Sequence, residues 1–145
     1  MINFETSVRI NRSREQVFAV LTDFETYLAR WAQGPVAAQR LAGNGGVGSR
    51  YLVIAKVGPV TVRSPYEVTG FEPPSRMAGS GVAGPVRFHE AYTLREDGST
   101  TVLTQSISAT PRGMFVLVRG LVRRQLQRLI ASDLGRFKRL VETER

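Results

Sequence analysis

The spacing of glycine and proline over the middle of the chain most constrains its fold. Beyond Gly34 these residues recur roughly every eight to twelve positions over about eighty residues, and apolar and polar residues alternate between them. This rhythm is typical of an antiparallel sheet whose short strands are joined by turns. It predicts strands over 36–42, 47–57, 60–71, 76–83, 86–95 and 100–109. The first ten residues alternate in the same way and predict another strand.

Helical periodicity flanks this middle part on both sides. A helix is predicted over 14–22, capped by Asn11 or Ser13, and a second short helix over 24–31. From 113 to about 142 the spacing predicts one long amphipathic helix with an apolar stripe of Phe115, Val118, Val122, Leu126, Leu129, Phe137 and Leu140. Asp133 lies in the gap of that stripe, so we expect a carboxylate among buried side chains.

Two turns allow strand register to be predicted. The dipeptide Asp97-Gly98 is a strong signal for a two-residue hairpin loop, which would place Glu90 directly opposite Gln105 on one face. The same count sets Tyr92 opposite Leu103 and Phe88 opposite Ile107. The Gly58-Pro59 turn predicts the pairs Val57–Val60, Ala55–Val62 and Tyr51–Tyr66.

Length and composition exclude several classes of protein. The chain has 145 residues, which predicts a single domain over 1–145 with a substantial core. It has no cysteine and one histidine, His89, which exclude disulfide frameworks, thiol nucleophiles and multi-histidine metal sites, and we expect no metal and no cofactor. No apolar run approaches a membrane span and the start lacks a signal-peptide pattern, so we expect a cytoplasmic protein.

The positive charge is concentrated at the end of the chain. Residues 112–145 contain nine basic and three acidic residues and therefore carry +6 of the net charge of +8. A clustered basic surface can dock on an anionic membrane or on nucleic acid. The arginines point round more than one side of the predicted helix, and no groove with interleaved aromatic residues is visible, so nucleic acid is the less favoured partner.

A glycine-rich string, GNGGVG, contains Gly43, Gly45 and Gly48 at the spacing of a dinucleotide-binding fingerprint. That fingerprint needs a helix after it, whereas the following residues predict a strand. We therefore interpret it as a hairpin loop with glycines in left-handed conformations.

The order of elements, together with several local strings, resembles the START-like (SRPBCC, helix-grip) superfamily and, within it, the polyketide cyclase/dehydrase and lipid transport group. The strings are SVRINRSREQVFAVLTDFETYLARW, YEVTGFEPPSR, YTLREDGSTTVLT and DLGRFKRLVE. The resemblance covers essentially the whole chain. It implies an α+β helix-grip fold, in which a bent seven-stranded antiparallel sheet wraps around the long C-terminal helix. It also implies a mostly apolar cavity for a hydrophobic guest, and it carries no universal catalytic set.

Candidate cavity residues follow from the predicted inner face and helix stripe. Glu90 and Gln105 are the polar candidates on the sheet, and Asp133 is the candidate on the helix, with a structural partner expected for its charge. Arg119 would lie at the cavity mouth, and His89 is expected on the outer face. The apolar and aromatic candidates are Trp31, Tyr51, Tyr66, Phe88, Tyr92, Leu103, Val122 and Leu126.

Three function classes remain open. The first is a module that binds or transports a small hydrophobic or amphipathic molecule, lipid-like or polyketide-like, in the cavity. The second is a cyclase or dehydratase in which Glu90 or Asp133 transfers a proton. The third is an interaction module that uses the arginine-rich helix on nucleic acid or in transient contact with an anionic membrane. The arginine-rich helix and the exposed sheet edges also permit a homodimer.

Overall fold

The computed structural model describes residues 2–32, 36–57, 59–83, 86–111 and 119–143. The elements in chain order are β1 (Ile2–Ile10), α1 (Arg14–Thr22), α2 (Phe24–Trp31), β2 (Val36–Ala42), β3 (Arg50–Val57), β4 (Val60–Glu72), β5 (Arg76–Ala83), β6 (Val86–Asp97), β7 (Thr100–Pro111) and α3 (Arg119–Thr143). The residues before Arg119 that belong to the predicted long helix lie outside the described part of the chain.

The seven strands form one antiparallel sheet. Their spatial order is β1-β7-β6-β5-β4-β3-β2, so β2 to β7 follow one another as neighbours and β1 joins at the edge beside β7. Every neighbouring pair is antiparallel. The predicted α+β architecture, with seven strands and a long C-terminal helix, is confirmed.

One of the two predicted hairpin registers is confirmed. The β3–β4 hairpin pairs Val57 with Val60 and Tyr51 with Tyr66, as the Gly58-Pro59 turn predicts. The prediction for β6 and β7 is wrong by two residues, because the loop consists of Gly98 and Ser99 and the closing pair is Asp97–Thr100.

Gly98 explains where that turn lies. Its φ is 63°, which suits the first position of a two-residue hairpin loop and is unfavourable for other residue types. Glu90 is therefore opposite Ile107, and Gln105 is opposite Tyr92. A shift of two residues keeps each side chain on its predicted face, so Glu90 and Gln105 remain diagonal neighbours.

The loop between β2 and β3 has the predicted left-handed glycines. Gly43, Gly45 and Gly48 have φ values of 91°, 99° and 88°. Ser49, which follows them, is buried and its Oγ accepts a hydrogen bond from Gly45 N at 2.8 Å. The loop is thus closed by its own side chain and leads into a strand, as interpreted from the sequence.

The short helices begin at side-chain caps. Ser13 caps α1 in a capping box with Gln16, and Asp23 caps α2 by accepting from Thr26 N. Of the two candidates for the first cap, Ser13 is the one used. Because Asp23 also ends α1, the two helices follow each other without a linker, and this places α2 beside α3 and β2.

Helix α3 packs on the inner face of the sheet. Leu134 and Phe137 belong to the same core cluster as Ile10 of β1, Leu94 of β6 and Leu103 of β7. The predicted stripe is wrong at Leu129, which is exposed, because the face toward the sheet runs through Ile130, Leu134, Phe137 and Val141. This spacing of four, three and four residues is that of an α-helix turned slightly from the predicted face.

Candidate functional site

A cavity of about 170 Å³ lies between α2, α3 and the inner faces of four strands. Its walls are mostly apolar and aromatic, with polar groups supplied by β4, β6, β7 and α3. It is lined by Phe24, Leu28, Trp31, Ala32, Val53, Tyr66, Phe88, Glu90, Tyr92, Gln105, Ile130 and Asp133.

Four polar side chains meet on the sheet side of this cavity, and we call them the Glu90 cluster: Glu90, Tyr66, Tyr92 and Gln105. Tyr66 Oη donates to Glu90 Oε1 at 2.7 Å, and Gln105 Nε2 donates to Glu90 Oε2 at 3.0 Å. Tyr92 Oη donates to Glu90 Oε2 at 3.4 Å and accepts from Gln105 Nε2 at 2.9 Å. Three neutral donors from three different strands therefore converge on one carboxyl group.

Strand alternation and two glycines position the Glu90 cluster. Phe88, Glu90 and Tyr92 alternate along β6 and so face the same side of the sheet. On β5, a Cβ added to Gly79 would lie 2.1 Å from Tyr66 Oη, and one added to Gly81 would lie 2.8 Å from the Phe88 ring. Because the two glycines have no side chains, the rings of Tyr66 from β4 and Phe88 from β6 can pack directly over β5.

The electrostatics of the Glu90 cluster are dominated by burial. Burial raises the pKa of Glu90, and the hydrogen bonds from Tyr66, Gln105 and Tyr92 act in the opposite direction. Burial and the nearby Glu90 charge together hold the pKa values of Tyr66 and Tyr92 well above the usual tyrosine range. The two phenols are therefore fixed donors, while the carboxyl group is the member of the cluster that can change charge.

On the helix side, Asp133 has the structural partner that the sequence predicted for it. It forms an ion pair with Arg136, one turn along α3, and Arg136 Nε also donates to the carbonyl of Trp31 at 3.0 Å. Arg136 thereby ties α3 to the end of α2. The buried indole nitrogen of Trp31 has no hydrogen-bond partner among the described residues.

The structure brings together seven of the twelve candidate residues: Trp31, Tyr66, Phe88, Glu90, Tyr92, Gln105 and Asp133. Tyr51 is buried against the ring of Phe24 and lines a neighbouring groove instead. Leu103 is fully buried in the core and does not reach the cavity. The side chains of Arg119, Val122 and Leu126 lie outside the described part of the structure.

Five lining residues were not predicted: Phe24, Leu28, Ala32, Val53 and Ile130. Phe24 and Leu28 share a helical stripe with Trp31, a spacing of four and three residues that could have identified them. Val53 lies two positions beyond Tyr51, on the inner face of β3. Ile130 was missed because the stripe of α3 was assigned to Leu129.

The other predicted features lie on the outside of the molecule. His89 is exposed, as expected, and so are Arg123, Arg124, Arg128 and Arg139 on α3. No described helix has the length and apolar character needed to cross a bilayer. Within the described residues, no three acidic or histidine side chains are grouped as metal ligands.

The whole chain resembles proteins of known family and fold. A family model described as polyketide cyclase/dehydrase and lipid transport matches residues 1–142. No curated protein is significantly similar in sequence.

Several solved structures share the fold. A START superfamily protein from Mycobacterium smegmatis is 17% identical, with a TM-score of 0.75 over 97% of this chain and 99% of that chain. A conserved protein from Geobacillus kaustophilus is 19% identical, with a TM-score of 0.77 over 97% and 95%. DynU16, from the dynemicin biosynthetic locus, is 22% identical, with a TM-score of 0.72 over 99% of this chain and 48% of that one.

Proposed function

The chain belongs to the polyketide cyclase/dehydrase and lipid transport family, and we propose that it binds a small hydrophobic or amphipathic molecule in the cavity beside α3. Ligand sites are typically concave and mostly apolar, with a few polar groups that set orientation. The cavity has this composition, since the polar atoms of the Glu90 cluster converge on one side of an otherwise apolar and aromatic wall. That convergence is the observation that carries the proposal.

The volume of the cavity limits the size of the ligand that it can fully enclose. Sites for drug-sized ligands measure about 300–1,000 Å³, whereas an apolar protein cavity of about 150 Å³ holds benzene. The volume of about 170 Å³ therefore fits one ring or a short branched chain. A longer lipid or polyketide would place one end here and extend beyond the residues that line the cavity.

The chain carries its own reporter for this binding. Trp31 is its one tryptophan and lies in the cavity wall, so its fluorescence should change on ligand entry. The experiment combines native mass spectrometry of the purified protein, to detect a copurifying molecule, with fluorescence titration of compact hydrophobic probes. We expect a saturable change with a 1:1 stoichiometry.

A matched pair of variants tests whether the probe binds in this cavity. Ala32→Leu adds volume at a lining residue, and Ala29→Leu makes the same change on the exposed side of α2. We expect Ala32→Leu to weaken probe binding by about tenfold or more, equivalent to about 1.4 kcal/mol, and Ala29→Leu to leave it unchanged. Equal binding by both variants, or no saturable binding by the parent protein, would contradict the proposal.

A second candidate function is proton transfer by Glu90 in an aldol cyclisation or a dehydration. It is favoured by one observation, the buried carboxyl group with a raised pKa between two tyrosine donors. Turnover of a polyketide-like β-ketone that Glu90→Gln abolishes while binding persists would support it. A tightly bound probe that is never converted would leave the binding function alone.

A further inference from the structure

The charge of the cavity wall is opposite to that of the protein. The chain carries a net charge of +8, yet the lining residues that the structure describes include two carboxyl groups, Glu90 and Asp133, and no lysine, arginine or histidine. Asp133 is neutralised by its ion pair with Arg136. Glu90 receives only neutral donors, and no cationic side chain lies within ion-pair distance of it in the described part of the chain.

We propose that the cavity selects a small organic cation, a protonated amine on a compact apolar body, whose charge is held between Glu90 and the surrounding aromatic rings. This inference rests on the proposed binding function and names the chemical class of its ligand. The cluster supplies the negative charge, and the apolar wall encloses the body of the ligand.

The carboxyl group of Glu90 can accept one more hydrogen bond, from the ammonium group of the ligand. The two oxygens of a carboxylate offer about four acceptor positions. The Glu90 cluster uses one on Oε1, for Tyr66, and two on Oε2, for Gln105 and Tyr92. Among the described residues, one position on Oε1 therefore has no donor and can accept from an N–H group. Hydrogen bonds to an ionised group are about twice as strong as those between neutral groups.

The aromatic wall reinforces the same preference. Five rings from the described residues line the cavity, those of Phe24, Trp31, Tyr66, Phe88 and Tyr92. Phe24 and Tyr66 meet edge to face, with centroids 5.6 Å apart, so their planes present π surfaces in different directions. A cation inside such a wall is attracted by the negative ring faces, most strongly where water is excluded.

An anionic head group is disfavoured by the same groups. A fatty-acid carboxylate at this position would meet Glu90, a like charge, and no basic side chain among the described lining residues would offset the repulsion. A neutral alcohol could donate one hydrogen bond to Glu90, but it has no positive charge to pair with the carboxylate or with the ring faces. The three head groups should therefore rank amine, alcohol, acid.

Isothermal titration calorimetry at neutral pH with 2-phenylethylamine, 2-phenylethanol and phenylacetate tests this ranking. We expect the amine to bind the parent protein about ten- to a hundredfold more tightly than the alcohol, and the acid to bind most weakly. Alcohol or acid binding as tightly as the amine would overturn the cation preference and leave the proposed binding function intact. If none of the three probes binds and no molecule copurifies, the binding function itself fails.

Two variants assign the preference to Glu90. Glu90→Gln should bring amine and alcohol affinities within about threefold of each other. Glu96→Gln makes the same change at an exposed position of the same strand and should keep the parent ranking. A preference for the amine that survives Glu90→Gln would overturn the role of Glu90. The ranking in the parent protein remains decisive if Glu90→Gln does not fold.

Discussion

We expect that replacing Gly79 destabilises the protein, because the ring of Tyr66 packs directly over this residue on the inner face of the sheet. The Cβ of Gly79→Ala would sit 2.1 Å from Tyr66 Oη and 2.2 Å from Cζ, separations that force the ring to move. That movement breaks the 2.7 Å hydrogen bond from Tyr66 to Glu90. The substitution therefore tests both the packing and the polar cluster.

The magnitude can be worked from these contacts. Overpacking of a well-packed interior costs about 1–3 kcal/mol, and a hydrogen bond to a charged group contributes about 1.5–3 kcal/mol. Replacing glycine in a strand returns about 0.5–1 kcal/mol of backbone entropy. We therefore expect Gly79→Ala to lower the free energy of unfolding by about 1.5–5.5 kcal/mol.

Urea unfolding followed by circular dichroism measures this cost, and a double-mutant cycle assigns it to Tyr66. In the Tyr66→Ala background the obstructing ring is gone, so adding Gly79→Ala should be close to neutral. Gly135→Ala on α3 is a matched control, because its nearest neighbour, Arg139 Nη1, would be 3.8 Å away. There we expect stabilisation by about 0.8–1 kcal/mol from helix propensity. A cost for Gly79→Ala below about 0.5 kcal/mol, or an equal cost in both backgrounds, would refute the reasoning.

Ser13→Ala removes the side-chain oxygen that accepts from Gln16 N in the capping box of α1, and urea unfolding should show a loss of about 1 kcal/mol. Burial raises the pKa of Glu90, so the folded protein binds more protons than the unfolded chain between the usual and the raised value. Stability from this group should fall as pH rises through that window, and a pH series of melting temperatures should be flatter there for Glu90→Gln. Glu142 should have the opposite effect on stability, because the hydrogen bond from Lys138 lowers its pKa. Its contribution to the free energy of unfolding is present above the usual glutamate pKa and is lost as pH falls through the lowered pKa. The melting temperature of Glu142→Gln should therefore decline less on acidification, and an equal decline would contradict that assignment.

Local patterns were enough to predict the elements and most of the cavity wall. Alternation placed Tyr66, Glu90 and Tyr92 on the inner face, and this held even where the β6–β7 register was wrong, because a shift of two residues preserves the face. The turn lies one residue later than predicted, with Gly98 in the first loop position at a φ of 63°. A distant residue also contacts the closing pair, because Arg9 of β1 donates to both Asp97 and Thr100, at 2.6 and 2.9 Å.

The remaining errors also involve contacts between distant segments. Which side of α3 faces the sheet is decided by packing against β1, β6 and β7, and this turns Ile130, which is partly buried, toward the core in place of Leu129. The role of Gly79 depends on a ring from a neighbouring strand, although the run Ala78 to Gly81 signals that β5 fills little space. The spacing of residues along the chain identifies which face of a helix or strand is buried. Which residues pack against that face is known only from the three-dimensional structure.

The position of β1 has a consequence for how the protein folds during synthesis. Strands β2 to β7 join sequential neighbours through short loops, whereas Ile2 of β1 pairs with Ala109 near the end of β7. Helix α3 comes later still, and its Glu142 side chain accepts from Asn11 N just after β1, at 2.8 Å. Strand β1 therefore pairs with β7 and contacts α3 although both lie far along the chain from it. Forming contacts at such large sequence separation costs loop entropy and slows folding. While the chain is still on the ribosome, the wall that carries Glu90 can form from local hairpins, but it stays uncovered until the C-terminal helix has emerged.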